Sequence, residues 1–338
     1  MKAKAALAHL QGLARSVPNQ DILLNTLILQ EAKASSEVEN IFTTQDSLFK
    51  AQLNPENMVS PEDKEVEHYN EALHAGFIQM KAKQGLLTNN ILIEIFRRLE
   101  QRTGGFRENH PVVLRNERTG EDVHVPPEET TQIQQYMADL ERFINVPQEG
   151  DYDLDPLIKM AIIHHQFESI HPFADGNGRT GRILNILYLT KEGLLDSPIL
   201  YLSRGINRSK DRYYRLLQRV RDFGEWEAWI LYLLEMIEET AQKTFEIIEA
   251  LKAQMAEMKK ALREKLPSLY SQDLLNTLFR HPYTKSKILE ERLGVSRQTA
   301  TKRLKLLSEH GFLQKVKFGR ENYFINHKLY RLFLSLSA

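Results

Sequence analysis

The sequence predicts a mainly α-helical protein with one β-hairpin in its first three-quarters and a small helix-and-hairpin module at its end. Three observations carry this. Apolar residues recur at helical spacing along most of the chain, as in Ile22, Leu23, Leu27 and Ile28. Ahead of Pro267, the one strong β signal lies between Pro111 and Pro126. Beyond Pro267, three short helical stretches are followed by two strand-like runs. The 338 residues leave room for two or three domains, and 42% hydrophobic with 27% charged residues is ordinary for a globular chain. The absence of cysteine excludes disulfides, thiolate zinc sites and cysteine nucleophiles together. No apolar run approaches the ~20 residues of a membrane span, and Met1 to Leu10 lacks the apolar core of a secretion signal, so a cytoplasmic location without membrane contact is expected.

Taken in order, residues 21–39 form a helix that Asn40 can end in a left-handed cap. Thr43-Thr44-Gln45-Asp46 offers N-caps for a helix through Leu53, and residues 55–61 are a polar break. Helices over 65–82 and 89–100 flank Gly85. Val112-Val113-Leu114 and Asp122-Val123-His124-Val125 read as hairpin strands around the polar tip 115–121, closed by Pro126-Pro127. Helix resumes over 131–144, 155–170, from Gly178 through Leu189, over 208–221, and from 225 to about 265. The last of these grows increasingly charged, as a connector would. Helices near 272–280, 285–293 and 297–310, then strands around 313–317 and 322–325 joined by Phe318-Gly319-Arg320, resemble a winged helix-turn-helix, with Ser296 as the third helix's N-cap. Arg297, Lys302, Arg303 and Lys305 fall on the helix expected to enter a major groove, and Lys315, Lys317 and Arg320 on the wing. From Ser268 to Ala338 there are thirteen Lys/Arg against five Asp/Glu in a chain of zero net charge, which invites a DNA partner through 296–325 and leaves a protein-docking role open.

The most informative stretch is His171-Pro172-Phe173-Ala174-Asp175-Gly176-Asn177-Gly178-Arg179-Thr180-Gly181-Arg182. Gly176, Asn177 and Gly178 let backbone N–H groups turn toward an anion at a helix start near Arg179. Arg179 and Arg182, spaced i,i+3, share a helix face and can clamp neighbouring phosphates. Asp175 suits a hard ion such as Mg²⁺, and His171 alone in the string titrates near neutrality. His164 and His165 point about 100° apart on a helix, so with His171 they read as core or surface histidines rather than a metal cluster.

The string resembles the signature of the Fic family, H-x-F-x-[D/E]-G-N-G-R-x-x-R. Phe167-Glu168-Ser169-Ile170, Val125-Pro126-Pro127, Pro198-Ile199-Leu200-Tyr201-Leu202-Ser203 and Tyr213-Tyr214 extend the likeness over roughly 30–239. The resemblance implies a Fic-type helical core at 101–240, preceded by a helical region at 1–100 and followed by a connector at 241–267 and the terminal module at 268–338. It implies that a Tyr, Thr or Ser hydroxyl of a target protein, or of the chain itself, attacks the α-phosphate of ATP. AMP then stays on the target and pyrophosphate leaves. His171 is then the base, Asp175 holds Mg²⁺, Arg179 and Arg182 take the β- and γ-phosphates, and the hairpin at 112–125 is the flap that holds the target. Asn207, Tyr213 and Tyr214 are implied to line the adenine pocket. Ser35-Ser36-Glu37-Val38-Glu39-Asn40 resembles the family's inhibitory pattern [S/T]-x-x-x-E-[G/N], on the helix at about 21–40. There Ser35 and Glu39 share a helix face, and Glu39 is implied to pair with Arg182 and block the γ-phosphate. The Doc branch carries lysine near the place of Gly178, so glycine there favours nucleotidyl over phosphoryl transfer. Two alternatives stay open, a nucleotide-sensing DNA-binding regulator and an enzyme that removes AMP from modified proteins. A homodimer is compatible with the resemblance.

Overall fold

Prolines and capping side chains set where the central helices begin. A computed structural model describes residues 2–53, 60–108, 112–115, 122–146, 154–318 and 321–334. The N-terminal part holds α1 (Lys2–Arg15), α2 (Gln20–Val38), α3 (Gln45–Leu53), α4 (Pro61–Ala82) and α5 (Asn89–Glu100). Asn19 caps α2, accepting from Asp21 N, while Ser60 caps α4 ahead of Pro61 and accepts from Asp63 N. A hairpin follows, β1 (Leu114–Arg115) and β2 (Asp122–His124), antiparallel with Leu114 opposite His124. Of its expected tip, 115–121, Arg115 belongs to β1 and the rest lies outside the described residues.

The centre is α6 (Thr130–Asn145), α7 (Pro156–Ile170), α8 (Asn177–Lys191), α9 (Ser203–Arg208) and α10 (Lys210–Phe223). Helix α7 is apolar nearly all round, and α8 is buried along almost its whole length, as a helix enclosed by others must be. Helices α2, α4 and α5 pack on α8, while α6 and the 40-residue α11 (Trp226–Lys265) pack on α7. Trp229 of α11 is fully buried and its Nε1 donates to Ala161 O at 2.9 Å, tying α11 to the middle of α7. Past residue 241, α11 is not a bare spacer. Ile247, Ile248, Leu251, Met255, Met258 and Leu262 continue its buried stripe, and α1 lies along it.

The last part comprises α12 (Gln272–Arg280), β3 (Tyr283–Thr284), α13 (Ser286–Leu293), α14 (Arg297–Glu309), β4 (Gln314–Phe318), β5 (Glu321–Ile325) and α15 (His327–Leu334). Its antiparallel sheet has the order β3-β5-β4, with Tyr283 opposite Ile325 and Val316 opposite Tyr323. Gly294, at φ 61°, ends α13 in the left-handed region, and Ser296 Oγ accepts from Thr299 N to start α14. Gly319 and Arg320, expected at the tip between the two long strands, are outside the described residues. Among the described residues, no helix is long and apolar enough to cross a membrane.

This C-terminal unit is fastened to α2 and α3. Phe49, 1% exposed, lies among the rings of His281, Tyr283, Tyr330 and Phe333 at centroid distances of 5.2–6.1 Å. Tyr283 OH donates to Asp46, Arg280 Nη1 donates to Asp21 Oδ2 at 3.0 Å, and Lys50 Nζ sits 4.0 Å from the centre of the Phe318 ring. Helix α2 is also held from the other side. The buried carboxylate of Glu31 accepts from Ser203 N at 2.9 Å, from Ser203 Oγ, and from Tyr69 OH at 3.3 Å. Burial raises its pKa to about 7, against the lowering effect of those donors and of nearby Arg182.

Phe49→Ala should open a cavity in the seam and lower stability by about 3–5 kcal/mol, read as a lower denaturant midpoint. Because the folded-state pKa of Glu31 lies above the ordinary carboxylate value, the stability linked to it is full below that value and lost as pH rises through about 7. The denaturant midpoint of the parent relative to that of Glu31→Gln should therefore be higher at pH 6 than at pH 8.5.

Candidate active site

The turn between α7 and α8 is built by local backbone chemistry. His171 ends α7 with φ 50°, a left-handed conformation seldom adopted by residues with a side chain, while its N–H still closes the helix on Phe167 O. Arg107 pins this conformation. Its N–H donates to Pro172 O and its Nε to His171 O, both at 2.8 Å, and Nη2 donates to Pro127 O beyond the hairpin. Phe173 stacks on Phe96 with centroids 4.4 Å apart. Asn177 closes the turn: its Oδ1 accepts from Phe173 N and its Nδ2 donates to Phe173 O. The side chain of Asn177 thus shapes the loop from within and is only 2% exposed, so any part it takes in anion binding falls to its backbone N–H. Gly176 adopts φ 67° just before α8, one residue earlier than the sequence places the helix start. The first N–H groups of α8 are left without intrahelical acceptors, and the positive end of the helix dipole points the same way.

His171 Nδ1 is buried and has no hydrogen-bond partner among the described residues. Burial, together with the positive charges of Arg107 and Arg221, lowers its pKa to about 4, so the ring is neutral at pH 7. Asp175 is exposed; its Oδ1 accepts from Gly176 N at 2.8 Å.

Both arginines are occupied. Arg182, 1% exposed, donates from Nε to Ser35 Oγ at 2.7 Å, and from Nη2 to Ser35 O at 3.0 Å and to Glu39 Oε1 at 2.8 Å. Glu39 is the C-cap residue of α2, and its side chain is 35% exposed. Burial works to raise its pKa, but Arg182, helped by Arg179 and Lys210, holds it below the usual carboxylate value. The carboxylate lies directly over Gly178, where a Cβ would come within 2.4 Å of Glu39 Oε1. Asn40 follows at φ 61°, the left-handed cap that its position predicts. Arg179 donates from Nη1 to Glu65 and from Nη2 to Glu100 Oε1 at 2.7 Å. Glu100 is raised in pKa by burial and by the neighbouring Asp175 and Glu65 charges, while Arg179 opposes the shift.

The structure therefore brings Ser35, Glu39, Gly176, Gly178, Arg179 and Arg182 together. The residues expected at an adenine pocket divide. Asn207 Nδ2 donates to Ala34 O at 3.0 Å and to Glu37 Oε2 at 3.2 Å, so it touches the helix that carries Glu39. Tyr214 is 43% exposed, its ring edge-on to that of Tyr213 at 5.0 Å between centroids. Tyr213 is 2% exposed, with its hydroxyl hydrogen-bonded to His164 Nε2 at 2.8 Å and its ring beside Trp229. That places Tyr213 in the core rather than along an open pocket, because its position on α10 faces α7 and α11. His164 and His165 are buried there too, His165 against Leu217 O and the ring of Trp226.

Arg107, Glu65, Glu100, Glu31 and Glu168 were not singled out by sequence reasoning. Glu31 had a readable signal, since 31, 35 and 39 recur at i, i+4 and i+8 on one helix face. Glu168, one turn before His171, is 7% exposed, its Oε1 has no hydrogen-bond partner among the described residues, and burial raises its pKa to about 7. The exposed Val113 and Val125 flank the two short strands of the hairpin, and His124 Nε2 donates to Ser169 O, pinning β2 beside His171.

Comparison with known proteins agrees with this geometry. The model described as Fic/DOC family N-terminal matches residues 1–78, that of the Fic/DOC family matches 86–189, and that of the protein adenylyltransferase SoFic-like C-terminal domain matches 254–329. A probable protein adenylyltransferase of Aquifex aeolicus is 38% identical over 69 residues, 20% of this chain and 19% of that protein. The protein adenylyltransferase Fic of Drosophila yakuba is 31% identical over 99 residues, 29% of this chain and 18% of that protein. The chain thus spans less than a fifth of the length of these curated relatives. Among solved structures, a Fic family protein from Desulfovibrio desulfuricans aligns with a TM-score of 0.57 at 20% identity, covering 96% of this chain and 94% of that one. A Fic domain containing signaling protein from Bacteroides thetaiotaomicron aligns with a TM-score of 0.60 at 18% identity, covering 73% and 95%. With three family models matched in sequence along most of its length and the same fold from end to end, the chain belongs to the Fic/DOC family.

Proposed function

We propose that the chain is a self-inhibited protein AMP-transferase that moves AMP from ATP to a Tyr, Thr or Ser hydroxyl of a target protein or of itself. One observation carries the reading: the Glu39 carboxylate pairs with a buried Arg182 while lying over Gly178, on the turn where a phosphate would sit. The matched relatives named as protein adenylyltransferases support it.

The neutral His171 ring takes the proton of the target hydroxyl as its oxygen bonds to the α-phosphorus. The bond from that phosphorus to the bridging oxygen breaks, and pyrophosphate leaves. The N–H groups at the start of α8 face the transferring group, Arg179 holds the β-phosphate and Arg182 the γ-phosphate. Asp175 fits a hard divalent ion, because it is exposed and Oδ2 makes no hydrogen bond among the described residues. When bound, Mg²⁺ supplies positive charge beside the leaving pyrophosphate. The hairpin at 112–125, flanked by the exposed Val113 and Val125, pairs with an extended target segment. Withdrawal of the end of α2 frees Arg182 and Asn207 together, since both are held by that helix. A preference of about 2.7 kcal/mol for the closed state suppresses activity about a hundredfold.

Glu39→Gly should raise label transfer from ATP labelled on the α-phosphate by roughly a hundredfold, and adding His171→Ala should reduce it again by at least about a hundredfold. Label arriving from the γ-phosphate would mark a kinase and overturn the reading. Because the His171 pKa is lowered, its base form persists until the pH approaches about 4. Initial rates of the Glu39→Gly form should therefore not halve near pH 6.5, as they would with an ordinary histidine.

A further inference from the structure

Helix α14 presents a face that the transfer chemistry does not use. Ala300, Leu304 and Leu307 bury one side of it against the C-terminal unit, where it packs on α13 and β4. The outward side carries Arg297, Gln298, Lys302 and Lys305, all exposed, with Thr301 between them. Together with Leu306, and with Glu309 at the far end of the helix, these five side chains line a groove of about 640 Å³. None of the three cations pairs with a carboxylate among the described residues, whereas Arg280, Lys285, Lys287 and Lys328 each do. The helix has no acidic residue before Glu309, its last. On the neighbouring β4, Lys315 and Lys317 are exposed on either side of the half-buried Val316.

We propose that this face binds duplex DNA, with α14 in the major groove and Lys315 and Lys317 on the flanking phosphates. A 13-residue helix is about 20 Å long, and the major groove, ~12 Å wide, admits one helix. Arginine and glutamine at the start of the helix are side chains that pair with guanine and adenine edges, and Thr301 follows one turn on. Lys302 and Lys305 neutralise phosphates and release counterions. A membrane surface is a poorer fit, since the apolar side chain of this groove, Leu306, is half-buried.

The test uses the full chain and a fluorescently labelled 30-base-pair duplex of mixed sequence, with anisotropy followed between about 50 and 200 mM KCl. Binding at low salt should weaken roughly a hundredfold across that range, as expected for about four phosphate contacts. Lys302→Glu with Lys305→Glu should weaken it at least tenfold at the lower salt while leaving the thermal melt unchanged, because both lysines are exposed and unpaired. A matched pair remote from the face, Lys83→Glu with Lys260→Glu, should bind like the parent. The proposal is overturned if 100 µM protein leaves the duplex free at low salt, if both double variants bind equally, or if anionic phosphatidylserine vesicles are bound and the duplex is not.

Discussion

A buried guanidinium organises this molecule. Arg182 is held in α8 with 1% exposure, and a charge so placed is tolerated only when paired and hydrogen-bonded. Three of its contacts come from a single helix end: the hydroxyl and carbonyl of Ser35 and the carboxylate of Glu39. The remaining fold can be understood as what brings that helix end to that place. Glu31, two turns before Glu39 on the same face, is anchored by Ser203 and Tyr69. Beyond Glu39, Phe49 and Asp46 of α3 are held by the aromatic and hydroxyl groups of the C-terminal unit. Removing the carboxylate leaves Arg182 short of its principal counter-charge, and in the proposed function a triphosphate then takes that place.

The two arginines of the motif are restrained differently, and the difference matters for release. Arg179 is gripped by Glu65 of α4 and Glu100 of α5, and Glu100 is 8% exposed at the end of a helix packed against α8. Glu39 is 35% exposed at a helix terminus, with only a short cap beyond it. Arg182 has one carboxylate partner and Arg179 has two, so movement of a single side chain, Glu39, strips Arg182 of its counter-charge while Arg179 would keep one. Glu65 and Glu100 share the single charge of Arg179 beside Asp175, and burial together with those neighbouring carboxylates raises the Glu100 pKa.

The turn itself is rigid for a complementary reason. His171 in a left-handed conformation stores strain that surrounding contacts must hold, and Arg107 and the Asn177–Phe173 ring do so. The stacked Phe96 and Phe173 fill the space beneath. His171, the backbone that opens α8 and the segment after the hairpin are therefore fixed to one another by hydrogen bonds from a single buried arginine and a single asparagine.

Much of this was legible before the structure. The string 171–182 specifies its turn through local rules: glycine at positive φ, a short polar side chain closing a loop, and two arginines one helical turn apart. The left-handed Asn40 and the pairing of Ser35 and Glu39 follow from helix geometry within a few residues, and the family likeness carried the pairing to Arg182. The apolar spacing of Ala3, Ala6, Leu7, Leu10 and Ala14 was equally readable as a helix, though α1 was not anticipated. What the sequence by itself determined was chemistry encoded at short range, where backbone dihedrals and the 3.6-residue period operate. Only the tertiary structure decided that Glu100 and Glu65, 79 and 114 residues away, would share Arg179, that Arg107 would brace His171 from 64 residues upstream, and that Tyr213 would face inward. Those choices depend on which helix faces meet, and helix packing brings together residues whose separation along the chain carries no periodic signal.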